Sequence, residues 1–168
     1  MAIVQIITVP DPVLRRKAHK VTVFDKEFQT FVTDMIDTMR DAPGVGLAAP
    51  QVDISERFIV IEYGDDEDEN VPKKLFAVAN PEIILHSEAT IEGLEGCLSV
   101  PGLVGNVSRF ESVVVKGLNR NGNPVKIKAT GWLARIFQHE IDHLDGILFT
   151  DHADKVWQPR EEDEVLAD

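Results

Sequence analysis

Gly131-Trp132-Leu133-Ala134-Arg135-Ile136-Phe137-Gln138-His139-Glu140-Ile141-Asp142-His143-Leu144 is the stretch on which the reading of the fold turns. On an α-helix, residues four apart are separated by roughly 40° around the axis and one turn along it, so His139 and His143 present their imidazoles to one point. That geometry suits a single metal ion. Glu140 lies about 100° from His139, too far round to be an equivalent ligand but close enough to reach a water at the metal, where it would act as general base. A catalytic metal needs a third protein ligand and an open position. Downstream of the histidines stand Asp145, Asp151, His152, Asp154 and the acidic tail, the side from which the usual zinc peptidase draws its third ligand. Upstream stands Cys97, the one thiol in the chain. A lone cysteine is more often a small buried hydrophobe than a ligand, so spacing alone leaves both a small zinc endopeptidase and a cysteine-ligated hydrolase open.

Working outward, the chain has 168 residues, a 43% hydrophobic fraction and no internal repeat, which predicts one compact domain. The final stretch, 159–168, reads as an acidic flexible tail. Lys plus Arg number 17 against 29 Asp plus Glu, a formal net charge of −12, and no basic stretch offers a phosphate-binding face, so direct nucleic-acid binding is not expected. The N-terminus lacks the pattern of a signal peptide and no apolar run would span a bilayer, which predicts a cytoplasmic protein without membrane contact. One cysteine allows no internal disulfide, consistent with a reducing compartment.

Asp11 and Pro12 mark a short helical start. Phe28, Phe31, Val32, Met35, Ile36 and Met39 recur at spacings of three and four behind Asp25, predicting a capped amphipathic helix packed outside the sheets. Strands are expected at 58–63, 75–79, 83–85, 113–118 and 125–128, the last two joined by a turn at Asn119–Asn123. Residues 64–70 read as a solvated acidic loop rather than a calcium site, for want of regular ligand spacing.

Three blocks, Gly44-Val45-Gly46-Leu47-Ala48-Ala49-Pro50-Gln51, Glu95-Gly96-Cys97-Leu98-Ser99 and Gln138-His139-Glu140-Ile141-Asp142-His143, in this order and at these separations, closely resemble the motifs of bacterial peptide deformylases. The resemblance runs from about Pro10 to Asp151. It implies an α+β fold in a single catalytic domain over residues 1–158, with antiparallel β-sheets around a central metal-binding helix, and removal of the formyl group from N-formylmethionine at the start of nascent polypeptides. By motif position it implies Cys97, His139 and His143 as metal ligands and Glu140 as acid/base, with Gln51 and the backbone N–H of Leu98 holding the oxyanion. Val45, Gly46, Gly96 and Leu98 would lie near the substrate. The family typically uses Fe²⁺ and accepts Ni²⁺, Co²⁺ or Zn²⁺.

The physical reading is compatible with those roles. Gln51 has an amide NH₂ to donate, and Leu98 contributes through its backbone whatever its side chain. Gly44 and Gly46 let the backbone approach a substrate closely. Ile136, one turn before His139, is a candidate wall for the methionine pocket or plain core. Arg109 is expected to pair with an acidic group near the site or in a surface ion pair. Some relatives carry a longer basic C-terminal helix associated with ribosome contact, whereas Arg160 here stands beside Glu161, Glu162, Asp163 and Glu164, so RNA docking by that route is disfavoured. Transient proximity to the ribosome remains compatible with a nascent-chain substrate. Besides the endopeptidase, a non-catalytic binder of formylated termini is the remaining rival, against which Glu140 and Gln51 argue, since neither is needed merely to hold metal.

Overall fold

The structure is a computed structural model that describes residues 2–64 and 72–160. Most of the acidic loop and residues 161–168 of the tail lie outside the described residues. Asp11 caps a 3-10 turn at Pro12–Arg15, its carboxylate accepting a hydrogen bond from the Val13 N–H. Asp25 caps helix α1, Lys26–Asp41, by accepting from the Phe28 N–H at 3.0 Å. After it the chain forms strand β1, Gly46–Ala48, and a 3-10 turn, Ala49–Val52. Strands β2 (Phe58–Tyr63), β3 (Lys74–His86), β4 (Thr90–Cys97), β5 (Val100–Phe110), β6 (Ser112–Leu118) and β7 (Pro124–Thr130) follow. Helix α2, Gly131–Leu144, a short helix α3, Phe149–His152, and strand β8, Val156–Trp157, complete the order.

All strand pairs in the two sheets are antiparallel. The larger sheet runs β1-β2-β3-β6-β7 and the smaller β4-β5-β8. Strand β2 shows why the larger sheet is covered on both faces. Its side chains alternate, so Phe58 and Val60 pack with Phe28, Val32, Met35 and Met39 of α1, while Ile59 and Ile61 pack with Ala134, Ile136, Phe137, Ile141 and Leu144 of α2. Four consecutive apolar residues, Phe58 to Ile61, are therefore all fully buried. Cys97, Val100 and Val107 of the smaller sheet make a third cluster with Leu148 and Phe149, so α2 lies between the two sheets.

Strand β3 is longer than its hydrophobic runs predict. It passes through Asn80-Pro81, where proline removes a donor, and absorbs the break as a register shift between Ala79 and Glu82, with Asn80 at φ 52°. The β6–β7 hairpin closes as expected, Asn119 accepting from the Asn121 and Asn123 N–H groups. Among the described residues no helix is long and apolar enough to cross a membrane.

Candidate metal centre

Helix α2 brings His139 and His143 onto one face, and β4 delivers Cys97 at its last residue. Their ligand atoms lie within 4.8 Å of one another, and all three residues are buried. His143 Nε2 is 3.4 Å from Cys97 Sγ. This donor set fits a divalent transition metal: one soft thiolate and two imidazoles, with three protein ligands leaving a position open. Three of the downstream candidates are engaged elsewhere, and Asp154 is exposed, outside the group of ligand atoms that converges here. Asp145 pairs with Arg57, Asp151 with Arg15, and His152 with Asp142. Cys97 is therefore the side chain that joins the histidine pair.

Glu95 orients the first histidine. Its Oε1 is 2.9 Å from His139 Nδ1, which makes that nitrogen the donor to the carboxylate and Nε2 the ring atom available to a metal. Arg109 grips the same carboxylate with two bonds, Nε to Oε2 at 2.9 Å and Nη2 to Oε1 at 2.8 Å, and reaches Asp142 with Nη1 at 2.6 Å. Arg135 adds a further bond to Glu95 Oε2 at 2.5 Å and donates to the carbonyls of Val107 and Ile91. Glu95 is 1% exposed and the two arginines 6% and 4%. Arg109 thus forms a buried pair inside the site, not a surface one.

These charges set the protonation of the site. Burial opposes ionisation of Glu95, but the Arg109 and His139 bonds and charges hold its carboxyl far below the usual range. Burial also opposes charge on His139, yet the hydrogen bonds to Cys97 and Glu95 and the Glu140 carboxylate push its pKa up to about 10. His143 moves the other way, lowered by burial and by the neighbouring His139 charge. A metal must displace the proton that this environment favours on His139.

Glu140 is fully buried beside the histidines, and β1 leaves room for it. A Cβ on Gly46 would stand 2.5 Å from Glu140 Oε2, so a side chain there would displace the Glu140 carboxylate. Gln51 is likewise fully buried. Its Oε1 accepts from the Ala48 N–H at 2.9 Å, and Nε2 donates to Ser99 Oγ at 3.1 Å and lies 3.6 Å from Cys97 Sγ. Leu98 and Ser99 form the turn between β4 and β5. Gly96 is buried next to Cys97, and Val45 is half-buried against the α2 core. Ile136 is fully enclosed in that core.

The sequence reading named the ligands, Glu140 and Gln51, but gave Glu95 and Ser99 no role and passed over Arg135. An arginine one helical turn before a metal-ligating histidine, on the apolar face of its helix, was the available signal: such a group is buried only when paired. Room for it comes from Gly93, whose Cβ would lie 2.7 Å from Arg135 Cζ. Arg135 also sits 5.3 Å from the ring of Trp132, and the two line a cavity with Ile91, Glu92 and Phe110.

The sequence profile of the family described as polypeptide deformylase matches residues 3–158. The peptide deformylase of Natranaerobius thermophilus is 50% identical over 161 residues, covering 96% of this chain and 99% of that protein. Peptide deformylase 1 of Bacillus subtilis is 46% identical, covering 94% of each. The crystal structure of peptide deformylase from Thermotoga maritima superposes with a TM-score of 0.85 at 40% identity, covering 92% of this chain and 100% of that one. That of the Ehrlichia chaffeensis enzyme in complex with actinonin gives 0.86 at 39% identity, covering 92% and 91%.

Proposed function

The chain belongs to the polypeptide deformylase family, and on that premise we propose that it hydrolyses the formyl group from N-formylmethionine at the start of nascent polypeptides, with Cys97, His139 and His143 holding one divalent metal ion. The observation that carries this reading is the convergence of those three ligand atoms within 4.8 Å, beside a fully buried Glu140 and Gln51. When bound, such an ion supplies the Lewis acidity that polarises the formyl carbonyl and makes water a nucleophile at neutral pH. Glu140 takes the proton from the attacking water as the oxygen adds to the formyl carbon. It then delivers that proton to the departing amine as the C–N bond breaks. Gln51 Nε2 and the Leu98 N–H donate to the oxygen on which negative charge develops.

Substrate placement follows from the sheets. Gly46 lies on β1 and Gly96 on β4, each the outermost strand of its sheet, and both flank the metal ligands. An extended peptide can hydrogen-bond to such strand edges, with the methionine side chain directed to apolar surface near Val45 and Leu98. Ile136 backs that surface from within the core. The net charge of −12 disfavours direct contact with nucleic acid, and the proposed encounter is with the nascent chain itself in the cytoplasm.

Formate release from a formyl-Met-Ala peptide by anaerobically prepared protein tests the assignment. Glu140→Ala should lower kcat about 10²- to 10⁴-fold while metal content stays at one ion per chain. Metal-loaded wild-type protein that releases no formate, or Glu140→Ala protein with full turnover, would overturn the reading. We assign Fe²⁺ as the cellular ion. Fe²⁺ and the Cys97 thiolate are both oxidisable, so the iron form should lose activity in air while a nickel-substituted form persists. Equal lifetimes of the two forms would exclude this.

A further inference from the structure

Gln51 works as an oxyanion donor only if its carboxamide is held the right way round. An amide side chain can rotate by 180° about its last bond, exchanging donor for acceptor. The Ala48 N–H, 2.9 Å from Oε1, accounts for one end. At the other end the NH₂ carries two hydrogens. Ser99 Oγ, 3.1 Å away, accepts one, and Cys97 Sγ, 3.6 Å away on the metal side of the site, accepts the other. Gln51 and Ser99 are both fully buried, so no solvent stands in for the hydroxyl.

The backbone around the pair is fixed as well. The N-terminal segment crosses both turns, with the Ile7 N–H donating to the Gln51 carbonyl at 2.7 Å and the Val9 N–H to the Ser99 carbonyl at 2.9 Å. One stretch of chain therefore sets the 3-10 turn bearing Gln51 against the turn bearing Ser99. The hydroxyl is placed relative to the amide by main-chain bonds, independently of the metal.

We propose that Ser99 is a positioning residue for deformylation, its Oγ taking one Nε2 hydrogen of Gln51 and so keeping the other on the metal side, beside Cys97 Sγ, from where it passes to the oxygen that becomes negative. The proposal rests on the reading of Gln51 as an oxyanion donor and adds the group that orients it. Because the aimed hydrogen matters only as charge develops, loss of Ser99 Oγ falls on kcat and leaves substrate binding nearly untouched. Without the hydroxyl, the NH₂ turns to recover a buried partner, and its alignment with the oxyanion is lost.

The test is a double-mutant cycle with Ser99→Ala and Gln51→Ala, read by kcat and KM, with metal content and thermal midpoint measured for each protein. Ser99→Ala should lower kcat about ten- to a hundredfold, short of the 10²- to 10³-fold cost of removing an oxyanion donor outright. KM should stay within about twofold and metal at one per chain. In the Gln51→Ala background the same substitution should change kcat less than about threefold, because its target is gone. A purely structural role would instead give the same loss in both backgrounds, and that result overturns the proposal, as does a raised KM with unchanged kcat. If Gln51→Ala is damaging and Ser99→Ala harmless, the proposal alone fails. If Gln51→Ala is itself harmless, the role of Gln51 fails and the proposal with it.

Discussion

Glu95 gathers two arginines and a metal-site histidine onto one buried carboxylate. One carboxylate, 1% exposed, receives bonds from Arg109, Arg135 and His139. Glu95→Gln keeps the shape but leaves two buried guanidinium groups without their shared counter-charge. Uncompensated buried charge of this kind costs about 3–5 kcal/mol, so urea unfolding at pH 7 should show a loss of that order. The dependence on pH has a definite sign. The folded pKa of Glu95 lies below its unfolded value, near about 4.3, so its stabilisation is complete above that value and declines as pH falls toward the folded one. Between about pH 5 and pH 3 the wild type should therefore lose stability more steeply than Glu95→Gln. Parallel slopes would show that Glu95 is not the group responsible.

Helices α1 and α2 were legible because their signals are local, whereas the four-residue α3 carries no such signal. The three-and-four spacing from Phe28 to Met39 and the Asp25 cap sit within one segment, and α2 begins and ends where its sequence pattern does. Asp25→Ala removes the bond to the Phe28 N–H and should cost about 0.5–2 kcal/mol in thermal unfolding, with kcat for deformylation unchanged. The β4–β5 hairpin was not legible as strands. Glycines interrupt its alternation at 93, 96, 102 and 105, and Pro101 adds to them. The reason is tertiary. Gly93 makes room for Arg135, and a Cβ at Gly105 would stand 2.8 Å from the Lys155 carbonyl, so close approach of neighbouring segments dictated residues that weaken strand propensity. Strand β3 hid its length for a related reason, since Asn80-Pro81 reads as a stop until a neighbouring strand shows that the register shifts around it.

Across the whole molecule, the candidate site was legible to the depth that motif spacing reaches. His139, Glu140 and His143 follow from helical geometry, whereas Cys97 and Gln51 required three separated blocks to be read together. The supporting groups, Arg135 and Ser99, become visible only when β4, β5 and the N-terminal segment are brought against α2. The same assembly gives the metal ligands a second significance. Cys97 is the last residue of β4 in the smaller sheet, while His143, 46 residues away in sequence, belongs to the helix laid on the larger one. A bound ion is then a cross-link between two layers of the fold, closing a long chain segment as a disulfide would and limiting the conformations open to the unfolded state. The protein's catalyst and one of its mechanical fasteners are the same atom, so damage to the thiolate would loosen the join between the sheets along with the chemistry it supports.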